Sequence, residues 1–230
     1  MWSKDVNNVT EASLPSVHLL SCGPFGEAVG RYLKTIREDM AYTHVIDDML
    51  PLPSTWPEAR INVLAAWRPV PDLCELLNQL SHERRRPFLP VIQDLTALRF
   101  GPLVIPGRGA CWNCWVTRWR QHSGWTKERE SLLRYYATHP CDGPAGYLEP
   151  FALMAAARIS QTMSAVDSCI AIPGCVWQID VLTRQVDTST VVGVHDCSWC
   201  GLGRPKATRT FADMRKELTY LWVAESDKLA

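Results

Sequence analysis

Two Cys-x-x-Cys units, Cys111-Trp112-Asn113-Cys114 and Cys197-Ser198-Trp199-Cys200, constrain the fold of this chain more than any other feature. A two-residue gap lets both thiolates of a turn face one tetrahedral ion, and four such sulfurs complete a zinc shell. Any fold must then bring together two turns with 82 residues of chain between Cys114 and Cys197. An all-thiolate shell leaves no open coordination position, which assigns the zinc to structure and not to catalysis. A redox Cys-x-x-Cys is the rival reading, and neither pair has the thioredoxin-like βαβ setting that it needs. His195 abuts the second pair as a substitute ligand, but four cysteines already fill a tetrahedron.

The chain has nine cysteines, an odd number, and its N-terminus carries Asp5, Asn7, Asn8 and Glu11 where a signal peptide would be apolar. A disulfide framework is therefore the poorer reading, and the expected compartment is the cytoplasm. Cys22 ends an apolar strand pattern and Cys74 sits in an amphipathic helix, where a free cysteine behaves as a small buried hydrophobe. Cys141, Cys169 and Cys175 fall in loop or turn contexts that leave a reactive thiol open.

Lysine plus arginine equals aspartate plus glutamate at 24 each. No net field draws such a chain to nucleic acid or an anionic membrane, so neither partner is expected. The longest apolar runs, such as 151–157, fall well short of a membrane span.

Along the chain, 16–22 reads as a strand, Gly23-Pro24-Phe25-Gly26 as a tight turn, and 27–37 as a helix with apolar residues at 3.6-residue spacing. Strands follow at 43–46 and 60–67, then a helix at 71–83. Strands alternating with helices imply a mostly parallel, Rossmann-like sheet. From Pro87 onward, short strand-like runs at 88–93, 97–100 and 103–105 stand close together. Helices are predicted over 112–121, 128–138 and 148–165, a hairpin over 176–194 around Thr183-Arg184-Gln185, and a last helix over 211–224. The expected organisation is a flexible N-terminus over 1–15, a Rossmann-like half over 16–105, and a zinc-clipped half over 106–230 holding helices and an antiparallel hairpin.

The glycine turn suggests a weak nucleotide site. In such sites glycines let backbone amides approach phosphate at a helix N-terminus, and an acid at the end of the second strand takes a ribose hydroxyl. Here Gly23 and Gly26 form a fingerprint one glycine short, and Asp47 stands 21 residues beyond Gly26. The same glycines also serve tight turning and close helix packing without any nucleotide. Trp112, Trp115 and Trp119 share one helical face, with Trp125 nearby. Such a stripe reads as core or subunit contact, or alternatively as a peptide-binding aromatic surface. Arg84-Arg85-Arg86 reads as a solvated basic run.

The order of strand, Gly23-Pro24-Phe25-Gly26 and helix, then Gly101-Pro102-Leu103-Val104-Ile105-Pro106-Gly107 leading into Cys111-Trp112-Asn113-Cys114, and later His195-Asp196-Cys197-Ser198-Trp199-Cys200-Gly201, resembles the ThiF-like branch of the ubiquitin-activating-enzyme superfamily. Residues 101–114 are particularly similar to the ThiF-like partner proteins of YcaO-type azoline-forming cyclodehydratases. The resemblance implies a subunit that works with a YcaO enzyme on a ribosomally made precursor peptide, and commonly a homodimer. In the family the YcaO enzyme uses ATP to activate a backbone amide for cyclisation by a cysteine, serine or threonine side chain. Leader-binding members usually carry an N-terminal winged-helix domain, whereas here the Rossmann-like strand begins near residue 16. Activating members follow the second strand with an acidic residue and a Ser-Asn-Leu-x-Arg-Gln stretch. Here Asp47-Asp48 precede Met49-Leu50-Pro51-Leu52-Pro53-Ser54, so the arginine and amide that touch ATP are missing. Without that arginine an adenylation transition state loses electrostatic support. The expected role is a non-catalytic scaffold, with an active adenylating enzyme as the alternative.

Overall fold

A computed structural model of the chain describes residues 15–46, 48–49, 51–94, 96–122, 127–144, 146–180 and 182–201. Asp47, Trp125, the N-terminal segment up to residue 14 and the helix expected over 211–224 lie outside the described residues.

A seven-stranded sheet with order β2-β1-β3-β4-β5-β6-β7 organises the rest. β1 (Val17–Cys22) and β3 (Ile61–Ala66) bury every residue on both faces, which only a sheet covered by helices on each side allows. β1 lies between β2 (Met40–Val45) and β3, with Val17 in register with Met40 on one side and Ile61 on the other. β4 (Phe88–Asp94) adds the last parallel pairing, beside β3. Beyond it β5 (Ala97–Phe100), β6 (Cys175–Asp180) and β7 (Val186–Thr190) are all antiparallel. The mostly parallel sheet expected from the strand–helix alternation is thus parallel through its first four strands, and the predicted hairpin continues the same sheet.

α1 (Gly23–Ile36) and α5 (Glu149–Asp167) cover one face, and Leu19, Val63 and Val91 pack there against Phe25, Val29, Ala152 and Ile159. α2 (Pro71–Arg84) and α3 (Trp112–His122) cover the other, where Leu20, Leu64 and Ile92 meet Leu77, Cys74 and Trp112. α4 (Lys127–Thr138) buries only Tyr136. Cys22 and Cys74 are buried apolar residues, as expected.

Several boundaries differ from the sequence reading; the hairpin, for one, ends at Thr190 and not at residue 194. α1 begins at Gly23 and not at residue 27, because Gly23 takes a φ of +69° and turns the chain directly from β1 into the helix, with Pro24 pre-set for the first turn. β2 starts at Met40, three residues earlier than its apolar run, because it is an outer strand whose solvent-facing residues need not be apolar. Residues 103–105 form no strand: Val104 makes one bridge, to Phe88, and Ile105 another, to Arg108.

Candidate metal centre and the crevice at the strand ends

The strap after β5 sets the position of the first cysteine pair. Gly101 takes a φ of +98°, and a β-carbon there would lie 2.3 Å from the Cys175 carbonyl oxygen, so only glycine lets the strap run this close to β6. Leu103 N–H donates to that carbonyl at 3.0 Å, and Gly174 N–H donates to Leu103 O at 2.8 Å. The strap therefore ends with Cys111 ahead of the first residue of α3 and Cys114 within its first turn. Buried Asn78 of α2 accepts the Trp112 backbone N–H at 3.1 Å, supplying the α3 N-terminus with a partner.

Past β7 the chain turns back over this helix end. Cys111 Sγ lies 3.9 Å from Cys114 Sγ and 3.4 Å from Cys197 Sγ, and Cys114 Sγ lies 3.3 Å from Cys200 Sγ. All four sulfurs fall within 4.8 Å of one another. Bonds of about 2.3 Å to a central tetrahedral ion require sulfurs about 3.8 Å apart, so the tetrad fits a metal of zinc's size and softness. Val194 N–H donates to Cys114 Sγ at 3.3 Å, the outer support a bound thiolate needs. Hydrogen bonds to Cys114 from Cys111 and Cys200, joined by Val194, hold this thiol well below the ordinary range. Charge at this sulfur is also favoured by the helix N-terminus. The group contains no histidine: His195 is exposed and 3.3 Å from the Asp196 carboxylate. Of the cysteines left open by the sequence, Cys141 and Cys169 are exposed and Cys175 half-buried.

The glycine turn lies at the C-terminal ends of β1 and β3, where the strand order reverses and open α/β sheets bind their ligands. In this chain the crevice is filled. A β-carbon on Gly23 would stand 2.2 Å from Trp67 Cδ1, and one on Gly143 would stand 2.6 Å from Trp67 Cη2, so the indole is sandwiched between the turn and the 143 loop. A β-carbon on Gly26 would lie 2.4 Å from Ala65 O, which accounts for that glycine by helix–strand packing. Next to Trp67, Arg68 is 1% exposed. It donates to Asp48 Oδ2 at 2.5 Å and to Pro140 O at 3.0 Å, and its guanidinium lies 4.5 Å from the Tyr136 ring. Cys22 Sγ donates to the other Asp48 oxygen at 3.3 Å. Burial, then the Asp48 charge, pushes the Cys22 thiol far up. Asp48 is thus engaged with the protein itself, and the arrangement does not fit a nucleotide phosphate over Gly23.

Sequence reasoning missed Trp67 and Arg68, since their partners lie far away along the chain. The one local signal was a bulky Trp-Arg pair at the end of β3, on the rim where a phosphate site needs small residues. The tryptophan stripe forms as expected: Trp112 and Trp115 are buried, with ring centroids 4.7 Å apart, and Trp119 stacks on Trp115 at 5.2 Å.

The sequence matches no family model and no curated protein. Among solved structures the fold is that of a heterocyclase in complex with substrate and cofactor, at a TM-score of 0.58 and 16% identity over 83% of this chain and 26% of that one. The heterocyclase TruD gives 0.57 and 16%, over 83% and 28%. MccB of E. coli gives 0.56 at 16% identity, over 85% of this chain and 68% of that chain. The E. coli microcin synthetase McbBCD complex contains a chain matching at 0.57 and 15%, over 84% and 71%. The chain spans about a quarter of the length of the heterocyclase chains. These likenesses establish the fold that the resemblance implied. No helix among the described residues is long and apolar enough to cross a membrane.

Proposed function

We propose that this chain is a non-catalytic ThiF-like partner of a YcaO-type cyclodehydratase, helping to install azoline heterocycles in a ribosomally made precursor peptide. Two supports come from outside the site: the sequence resemblance, and a fold shared with heterocyclases and a microcin synthetase subunit. The observation that carries the non-catalytic reading is the indole of Trp67 over Gly23, in the crevice where an adenylating relative would bring phosphate. Gly23, Gly26 and Asp47 then belong to a vestigial nucleotide turn. Cys111, Cys114, Cys197 and Cys200 hold one structural zinc ion that clips the 106–230 half together, and the chain pairs as a homodimer in the cytoplasm.

Co-expression with the YcaO enzyme of the same gene neighbourhood tests this directly. The two proteins are expected to co-purify, and the chain alone to show no ATP–pyrophosphate exchange. The competing reading, an adenylating enzyme acting on a peptide or carrier carboxylate, draws on the MccB structure with ATP among the fold's neighbours. Exchange above background by the purified chain, lost on Asp47→Ala, would establish that reading and refute the scaffold.

A further inference from the structure

The last turn of α2 carries an imidazole whose inner nitrogen is unmatched. His82 is half-buried, and its Nε2 is sealed from solvent with no hydrogen-bond partner among the described residues. A buried polar atom left unmade is costly, so the position calls for a group that answers it.

The packing of α2 on α3 locates that group. Asn78 marks where α3 starts, by accepting the Trp112 N–H at 3.1 Å. From there α3 runs back along α2, because Trp115 and Trp119 border the same cleft as Pro71, Asp72 and Glu75, which all precede Asn78. Beyond Asn78, α2 therefore faces the strap and the cysteines instead: Leu80 and Phe88 share one core cluster with Val104, Ala110, Cys111 and Cys114. His82 follows Asn78 by four residues, which on a helix puts it on the same face, one turn further on. That turn is the one nearest the tetrad.

Electrostatics agree with this placement. Burial holds the His82 pKa below its ordinary 6.5, and the charge on Cys114 opposes the shift. The ring is thus uncharged near neutral pH, with a single N–H to direct. On the other side of the contact, four thiolates around a divalent ion carry a net charge of −2, which needs donors from outside the shell. Val194 N–H supplies one, to Cys114 Sγ at 3.3 Å. His82 is not itself a ligand, since the group of metal-ligating atoms that lie within 4.8 Å of one another consists of the four sulfurs.

We propose that His82 is a positioning residue of the metal centre, its Nε2–H directed at the Cys114 thiolate from the side opposite the ion. Together with the Val194 N–H it would keep that sulfur charged and oriented. The proposal rests on the zinc reading above and is independent of the YcaO partnership.

The test uses the full-length chain loaded with zinc, and with cobalt(II) as a spectroscopic substitute. His82→Leu should weaken zinc about tenfold or more in competition with a chelator, the size of effect that outer-shell partners have. Its sulfur-to-cobalt charge-transfer absorption should move to lower energy, because a thiolate freed of a hydrogen bond gives up its electrons more readily, while the d–d bands stay tetrahedral. A glutamine amide N–H reaches about as far as Nε2 and an asparagine stops one atom short. His82→Gln should therefore stay within about threefold of wild type and His82→Asn behave like His82→Leu. If His82→Leu fails to fold, the Gln and Asn pair decides. Wild-type affinity with an unshifted charge-transfer band in His82→Leu, or equal weakening by Gln and Asn, would overturn the proposal. Zinc content separates the two readings: a metal-free wild type removes the zinc centre and this proposal with it, whereas one zinc per chain with indifferent variants removes the proposal alone.

Discussion

Asn78 Oδ1 accepts the backbone N–H of Trp112 at 3.1 Å, joining the middle of α2 to the residue after the first cysteine of the candidate metal tetrad. Asn78 is fully buried, and its Nδ2 has no partner among the described residues. Asn78→Ala leaves the Trp112 N–H unmade in the interior and should cost about 1–3 kcal/mol by urea denaturation. Metal affinity should fall with it, because the N–H anchors the helix end carrying Cys111 and Cys114. An Asn78→Ala protein with unchanged midpoint and unchanged metal affinity would show that this bond does not support the centre.

Removing the metal should unfold the second half of the chain. Structural zinc contributes on the order of 10–16 kcal/mol of binding free energy in small zinc peptides, nearly all of it realised as folding. Purified protein is expected to hold one zinc per chain by elemental analysis, and Cys197→Ser to lose both metal and solubility. A folded, soluble Cys197→Ser protein with full zinc content would eliminate the tetrad.

The Arg68–Asp48 pair makes an asymmetric prediction. Arg68 is almost fully buried, so Asp48→Asn strands a guanidinium inside the protein and should cost about 3–5 kcal/mol. Arg68→Met leaves Asp48 partly accessible to water and should cost less. The order of the two melting temperatures checks this, and a milder Asp48→Asn would mean that Pro140 O and the Tyr136 ring suffice to hold the cation.

Acid should weaken the fold through His18. Burial holds this imidazole below its ordinary pKa of 6.5, opposed by the Asn62 hydrogen bond and assisted by Arg84. The folded pKa is the lower one, so just below pH 6.5 the unfolded chain takes up a proton that the folded chain refuses. The stabilisation is complete above that pH and is lost progressively as pH falls toward the folded value. His18→Gln can still bond Asn62 and Thr43, and should flatten the dependence between about pH 7 and 5 relative to wild type, with zinc content held equal. Parallel pH profiles would place the sensitivity elsewhere.

Much of the frame could be read from local pattern. The apolar runs of β1 and β3, the 3.6-residue repeat of α1 and α2, and the spacing of the cysteine pairs each carry their signal within a few residues. The meeting of the four cysteines was legible because coordination chemistry pairs one Cys-x-x-Cys with another wherever they lie along the chain. Arg68 with Asp48, and Arg99 with Asp94 and Arg129, carry no such rule, since an arginine can pair with any of the chain's acids and only the fold selects one. Trp67 was invisible for a related reason: that it fills a crevice depends on Gly23 and Gly143 approaching it from two distant loops. The extent of β2 escaped because a strand at the edge of the sheet mixes polar and apolar residues.

β7 exposes all five of its residues and lies at the end of the sheet. With no apolar face to bury, it is held by its backbone bonds to β6 and by what anchors the chain on either side. Downstream, that anchor is the turn carrying Cys197 and Cys200. The outermost strand is thus tethered through the segment that follows it, where Val191, Val194 and Trp199 also pack on the core, and with a metal bound by the cysteines its amide protons should register metal loss by faster exchange with solvent before the central strands respond.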